Sequence, residues 1–202
     1  MINKVVIKMD TKEEILKNVN TLFAQKGYSL SMSDIAKSVG IKVPSIYNHF
    51  TGKDEIIWTA IQIEVADFFE FMDMELSQIN ATPSLERLKR LFFSIIQYFA
   101  FGDKIQFWRN MSLISNPELR KRTNTLICDM ENNMYKKLQM IFIECLPGKK
   151  TEYENIENIV LFYFLMIKGL LDVMITHQDI QFELNTYVDK IWSTYWGLIN
   201  RE

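Results

Sequence analysis

Apolar positions in this chain recur with a helical period along almost its whole length. Between Asp10 and Lys26, Ile15, Val19, Leu22 and Phe23 form one stripe, and Thr11 with Glu14 three residues later has the spacing of a capping box. Gly27 follows, at a position where the left-handed conformation ends helices readily. A short second helix is expected from Met32 or Ser33 to Val39, with Ser31 as its cap, Ile35, Ala36 and Val39 facing inward, and Gly40 closing it. The third starts near Pro44, where a missing N–H is harmless, and stops before Gly52. The fourth starts at Lys53, capped by Thr51 or Gly52, and continues to about Ile79. Further helices are expected at roughly Pro83–Ala100, Lys104–Ile114, Pro117–Leu146, Glu152–His177 and Ile180–Asn200. The breaks "NATPS", "FGD", "SNP", "LPGKK" and "HQD" all carry turn or capping residues. Nine helical segments and no convincing strand predict an all-α fold.

Composition supports that reading. Only 7 Gly and 4 Pro occur in 202 residues, and 48% of the chain is hydrophobic, enough for a substantial core. Cys128 and Cys145 have no metal-ligand spacing and fit small apolar packers in a reducing compartment better than a disulfide. The opening "MINKVVIKMDTKEE" lacks the features of a signal peptide. The most apolar stretch, "NIVLFYFLMIKGLLDVMI", is interrupted by Lys168 and Asp172 and reads as a buried helix, not a membrane span.

Charge changes the picture more than composition does. The net charge of −2 argues against a polyanionic partner until its distribution is considered. Residues 1–53 carry eight lysines against four acidic residues, a balance of +4, which leaves −6 on the remainder. A basic head (1–53) on an acidic body (54–202) suggests two jobs in one chain.

Three helices, with the second and third short and joined by "VGIKV", fit a helix-turn-helix. On the third, Ile46 and Phe50 share the inward face, Pro44, Ser45 and Asn48 lie opposite, and Tyr47 and His49 flank them. A merely solvated face would be filled with Lys and Glu; this one carries short, rigid hydrogen-bonding groups suited to close docking. A DNA major groove admits such a helix. Asn48 can pair bidentately with adenine, Val43 and Pro44 can meet thymine methyl groups, and Tyr47 and His49 can reach phosphates. Lys53 at the start of the fourth helix, and Lys42, are further phosphate candidates.

At these residues the chain resembles the TetR/AcrR family of transcriptional regulators. The resemblance covers residues 10–57 and rests on Phe23, Gly27-Tyr28, "SDIAKSVGI" at 33–41, and Ile46-Tyr47-Asn48-His49-Phe50 followed by Lys53 and Glu55. It implies a cytoplasmic homodimer that binds a palindromic double-stranded operator, usually as a repressor, and that a small effector entering the body releases from DNA. Carried over position by position, it implies DNA contacts at Met32, Ser33, Val43, Pro44, Ser45, Tyr47, Asn48, His49 and Lys53. Met32 stands where the family often has Thr, and Val43-Pro44 where many members have Lys-Gly.

The body is rich in Phe and Met, which serve core packing and would equally line a site for a largely apolar effector. Gln97, Tyr98, Trp108, Arg109 and Asn110 are the candidate polar contacts of such a ligand. Gly169 inside a helix implies close approach of another helix. The last two helices resemble the family's dimerisation pair, with Trp192, Tyr195 and Trp196 as candidate anchors. Lys168 and Asp172, spaced i, i+4, can pair with each other, and His177 fits a helix-end cap. No catalytic, nucleotide-binding or metal motif occurs, so neither enzyme activity nor a cofactor is expected, and no membrane association. The competing reading keeps the DNA-binding head and replaces the small effector with a protein partner.

Overall fold

The computed structural model describes residues 10–79, 85–146, 153–176 and 184–199. These form nine α-helices and no strand among the described residues: α1 (Thr11–Lys26), α2 (Met32–Val39), α3 (Val43–Ile46), α4 (Lys53–Ile79), α5 (Leu85–Ala100), α6 (Lys104–Ser112), α7 (Pro117–Cys145), α8 (Tyr153–Thr176) and α9 (Leu184–Ile199). The expected starts at Pro83, Glu152 and Ile180, and His177, lie outside the described residues. Packing divides the chain into two units, residues 1–64 with 106–124, and residues 65–105 with 125–202. The expected division at 53/54 rests on charge. It is not a packing boundary.

In the first unit the stripe Ile15, Val19 and Phe23 is fully buried, and Leu22 lies half-exposed at its edge. Asp10, not Thr11, precedes the first helical turn, and its side chain makes no capping bond. The Thr11–Glu14 box therefore does not form, because Thr11 is already inside the helix. Gly27 has φ 57° and ψ −145°, outside the left-handed helical region expected for it, and opens a 3-10 turn over Gly27–Ser29. The cap of α2 forms as expected and adds a partner: the Ser31 hydroxyl accepts from Asp34 N–H, and the Asp34 carboxylate accepts from Ser31 N–H. Gly40 closes α2 in the left-handed conformation, with φ 72° and ψ 27°, and Ile41 N–H reaches back to Ala36 O.

Phe107, Met111, Ile114 and Leu119, from the second segment of this unit, are all buried. Phe107 meets Phe23 edge to face with centroids 5.0 Å apart. Arg122 lies over the Trp58 ring at 4.3 Å, and Trp108 Nε1 donates to the buried Glu64 carboxylate at 3.2 Å.

The second unit is organised around α5, α7, α8 and α9, where Phe92, Phe142, Tyr163, Trp192 and Tyr195 pack ring against ring. The buried hydroxyls are satisfied: Tyr163 donates to Leu88 O and Tyr195 to Ile159 O. Trp192 and Tyr195, expected as anchors of a subunit interface, are thus core residues of a single chain, 6% and 2% exposed; Trp196 is half-buried and stacked on Trp192. The α8 sequence, expected to be buried, is not: over Ile156–Thr176, long and apolar enough to cross a membrane, only 22% of the most apolar window is covered. A helix apolar all round has buried one side, leaving Leu161, Phe162 and Leu165 on the other exposed by 47%, 49% and 54%. Gly169, expected to let a neighbouring helix approach, is exposed, and a Cβ there would meet nothing within 4 Å. Lys168 pairs with Glu131 of α7 at 2.7 Å, not with Asp172, because the neighbouring helix offers the nearer carboxylate. Of the two free cysteines, Cys145 is buried, which raises its thiol pKa, whereas Cys128, expected as an apolar packer, is exposed.

Candidate nucleic-acid interface

The opening of α3 is set by Pro44 near its first position and by Lys42 in extended conformation before it. The helix is shorter than expected. Four residues are α-helical, Tyr47 keeps φ −66° and ψ −13°, and the chain then tightens through His49 N–H and Phe50 N–H, both bonded to Ile46 O at 2.9 and 3.0 Å. Such shared carbonyls are how a short helix ends without orphaned groups. Tyr47, Asn48 and His49 therefore sit on the closing turn, not on a continuing helix.

The inward and outward sets separate as the sequence pattern requires. Ile46 is 0% and Phe50 3% exposed, whereas Tyr47 is 55% exposed and Pro44 and Asn48 are also open to solvent. Val43, Ser45 and His49 are intermediate, and Lys42 is exposed. At the start of α2, Ser33 is exposed and Met32 half-buried. All ten candidate DNA-contacting residues, Lys53 included, fall within the first packing unit.

Lys53 opens α4. Its ammonium donates to Tyr28 O at 2.9 Å and stands 3.9 Å from the centre of the Tyr28 ring. The Tyr28 hydroxyl donates to Asp54 Oδ1 at 2.6 Å, and Asn116 Nδ2 donates to Asp54 Oδ2 at 2.8 Å. Burial first, and then the Asp54 carboxylate, raise the Tyr28 pKa above its ordinary value. Asn116 Oδ1 caps α7, accepting from Glu118 and Leu119 N–H at 2.9 and 3.1 Å. Sequence reasoning singled out Lys53 but missed Asp54 and Asn116. An acidic residue in a first helical turn looks like simple dipole compensation, while Asn before Pro117 was readable as a cap and no further.

Two carboxylates stiffen the same unit. Lys26, and then Ser31, hold the Asp34 carboxyl well below its ordinary value. The Thr51 hydroxyl and then its N–H lower Glu55, whose carboxylate reaches back over the first turn of α4. A depressed folded-state pKa contributes stability that is fully present above the unfolded value and is lost as pH falls through the folded one. The unit is expected to lose thermal stability as pH drops below the ordinary values of 3.8 and 4.5 for these groups. Melting curves on the wild type and on Asp34→Asn with Glu55→Gln check this; the variant should show a flatter acid limb.

The candidate effector residues are divided between the two packing units. Gln97 is exposed on α5. Tyr98 packs against Phe68, Phe71 and Phe99, and its hydroxyl pairs with the Lys104 ammonium at 2.9 Å. Trp108, Arg109 and Asn110 belong to the other packing unit. Arg109 is exposed, and Asn110 gives both its amide hydrogens to α1, at Phe23 O (2.8 Å) and Ala24 O (2.9 Å). Asn110 thus holds a helix end instead of facing a ligand. Its place on the buried face beside Phe107 and Met111 was the sequence signal for that role. In the second unit, an apolar dimple lined by Phe69, Met72, Leu76, Met134, Lys137, Leu138 and Ile141 has room for about one water molecule. A buried carboxylate that sequence reasoning missed, Glu75, accepts from the Ser94 hydroxyl at 2.7 Å.

Comparison with known proteins follows this division. Residues 12–57 match the model of bacterial regulatory proteins, tetR family. Over 157 residues, 75% of this chain and 79% of the relative, the sequence is 27% identical to IcaR of Staphylococcus aureus, the HTH-type negative transcriptional regulator of the biofilm operon icaADBC. Two solved folds cover nearly the whole chain. The transcriptional regulator FadR of Bacillus subtilis, in complex with stearoyl-CoA, has a TM-score of 0.63 at 17% identity, over 91% of this chain and 96% of its own. A regulator from Saccharomonospora viridis in complex with choline has a TM-score of 0.69 at 21% identity, over 95% and 96%.

Proposed function

From the premise that this chain is a TetR-family transcriptional regulator, we propose that it is a cytoplasmic repressor that grips a palindromic operator as a homodimer and lets go when an effector binds its second unit. The observation that carries the DNA reading is the separation on the α3 turn, where Ile46 and Phe50 are buried and Tyr47 and Asn48 project outward beside Pro44. Repression is supported by the similarity to a negative regulator over three quarters of the chain. Asn48 reads a base edge, Val43 and Pro44 meet methyl groups, and Lys42, Tyr47, His49 and Lys53 hold phosphates, with Met32 and Ser33 at the flank.

The dimer is assigned to the bare side of α8. Leu161, Phe162 and Leu165 leave apolar area that a second copy covers, and Gly169, one turn beyond Leu165, lets the two helices approach closely.

The effector is a largely apolar small molecule. Folds similar to this one hold ligands as different as stearoyl-CoA and choline, so it is the Phe and Met content of this body, not the fold, that supports an apolar one. Gln97 and Tyr98 are its candidate polar contacts, with Glu75 and Ser94 available to a donor group. A protein partner in place of the small molecule is the second reading. Mass spectrometry of molecules co-purifying with the protein separates the two.

Selection of bound duplexes from a random pool tests the DNA reading. Affinity for the selected duplex should fall steeply as salt rises, since each phosphate contact releases counterions. Asn48→Ala should relax the preference at one base position, with a loss of about 1–3 kcal/mol of discrimination. Salt-independent binding, or an unchanged base preference, would sink the assignment.

A further inference from the structure

The geometry points to Asp54 as the positioning residue of the DNA contact: its carboxylate, held between the Tyr28 hydroxyl and the Asn116 amide, fixes the corner that aims Lys53 at a phosphate. This rests on the DNA-binding reading given above. Four residues from three places in the sequence form one continuous chain of hydrogen bonds within one packing unit. Its sense is fixed at one end. Asn116 Oδ1 accepts from two N–H groups at the start of α7, so its NH₂ must face Asp54. Asp54 then has one oxygen for Asn116 and one for Tyr28, and a carboxylate serves both because it only accepts. Tyr28, thus oriented, offers its carbonyl and its ring to the Lys53 ammonium. One of the three ammonium hydrogens is taken by Tyr28 O, and the others remain for an anion. The side chain is ordered before DNA arrives, so less freedom is lost on binding.

Charge alone predicts the opposite role. An acidic side chain next to a phosphate-binding lysine repels DNA, and removing it should tighten binding. A positioning residue should weaken binding when replaced, although the same negative charge is lost. The sign of the effect therefore separates the two.

The test uses the full-length chain and the duplex that it selects from random sequence, with dissociation constants measured across a salt series. Lys53→Ala should lower the slope of log affinity against log salt by about one, the value of one phosphate contact. Asp54→Ala removes both acceptors, leaving Tyr28 and Asn116 without their shared partner; it should weaken binding about tenfold, the loss of a hydrogen bond to a charged group, and lower the slope by the same increment. Added to Lys53→Ala, it should change the slope no further. The exchange Asp54→Asn with Asn116→Asp keeps the net charge and rebuilds every bond. The introduced amide donates to the introduced carboxylate, that carboxylate still caps α7, and Tyr28 donates to the oxygen of the amide. The exchange should restore affinity and slope to the wild-type values.

Asp54→Ala binding as tightly as wild type with the same slope, or an exchange variant that stays weak while folded, overturns the inference and leaves the DNA reading intact. A wild-type chain that selects no duplex overturns both. If Asp54→Ala does not fold, Tyr28→Phe decides, since it keeps the ring and removes only the bond to Asp54. A reduced slope supports the proposal and an unchanged one refutes it.

Discussion

A chain ending at residue 64 is expected to be unfolded at room temperature, although it holds the whole region that matches the family model and every candidate DNA contact. The unit that carries those contacts is completed by residues 106–124. Phe107, Met111, Ile114 and Leu119 are each between 0% and 3% exposed. Burying such side chains is worth about 1.5–3 kcal/mol apiece, so their loss together removes most of the roughly 5–15 kcal/mol by which an ordinary domain is stable. The fragment also loses Asn110 from the end of α1 and Asn116 from Asp54. Circular dichroism of the fragment checks the expectation. Phe107→Ala in the full chain, expected to destabilise by about 3–5 kcal/mol as a core Phe does, gives a graded version. A fragment with a cooperative melt would show that the second segment merely rests on an already stable domain.

Leu165→Glu is expected to convert a dimer into a monomer. Across a two-fold axis the substitution appears twice, placing like charges near one another in an apolar contact, which costs several kcal/mol. Each 1.4 kcal/mol is tenfold in affinity, so the dimer constant should weaken by about a hundredfold or more. Leu165 is 54% exposed in the single chain, so the fold itself should tolerate the change. Sedimentation of wild type and variant over a concentration series reads the effect, with the melting temperature as the control for folding. A variant with an unchanged sedimentation profile would move the interface off α8.

Helices were legible in this sequence to within a few residues wherever apolar periodicity and capping chemistry agreed, as at Ser31, Gly40 and Lys53. They were less legible where only one signal was present. Pro44 set where α3 starts, but no residue marked its early end at Ile46, where the His49 and Phe50 N–H groups share the Ile46 carbonyl. The outward arc of the candidate site was readable because Ile46 and Phe50 are spaced by one helical turn.

What supports that arc was not readable. Asp54 and Asn116 stand 62 positions apart, and Asn110 stands 86 from Ala24. A single sequence carries no signal for such pairs. Trp192 and Tyr195 show a related limit: they look like ideal anchors for a partner, and large aromatics look the same whether they are buried by another chain or, as here, by their own. The apolar run of α8 was correctly identified as hydrophobic and incorrectly taken to be covered.

Indole rings are shared evenly between the two halves of the packing. Trp58 under Arg122 and Trp108 on Glu64 report on one half, Trp192 and Trp196 on the other. Converting either couple to phenylalanine leaves an intrinsic fluorophore confined to a single half, so emission during denaturation would tell whether the DNA-gripping portion and the remainder come apart in one step or two.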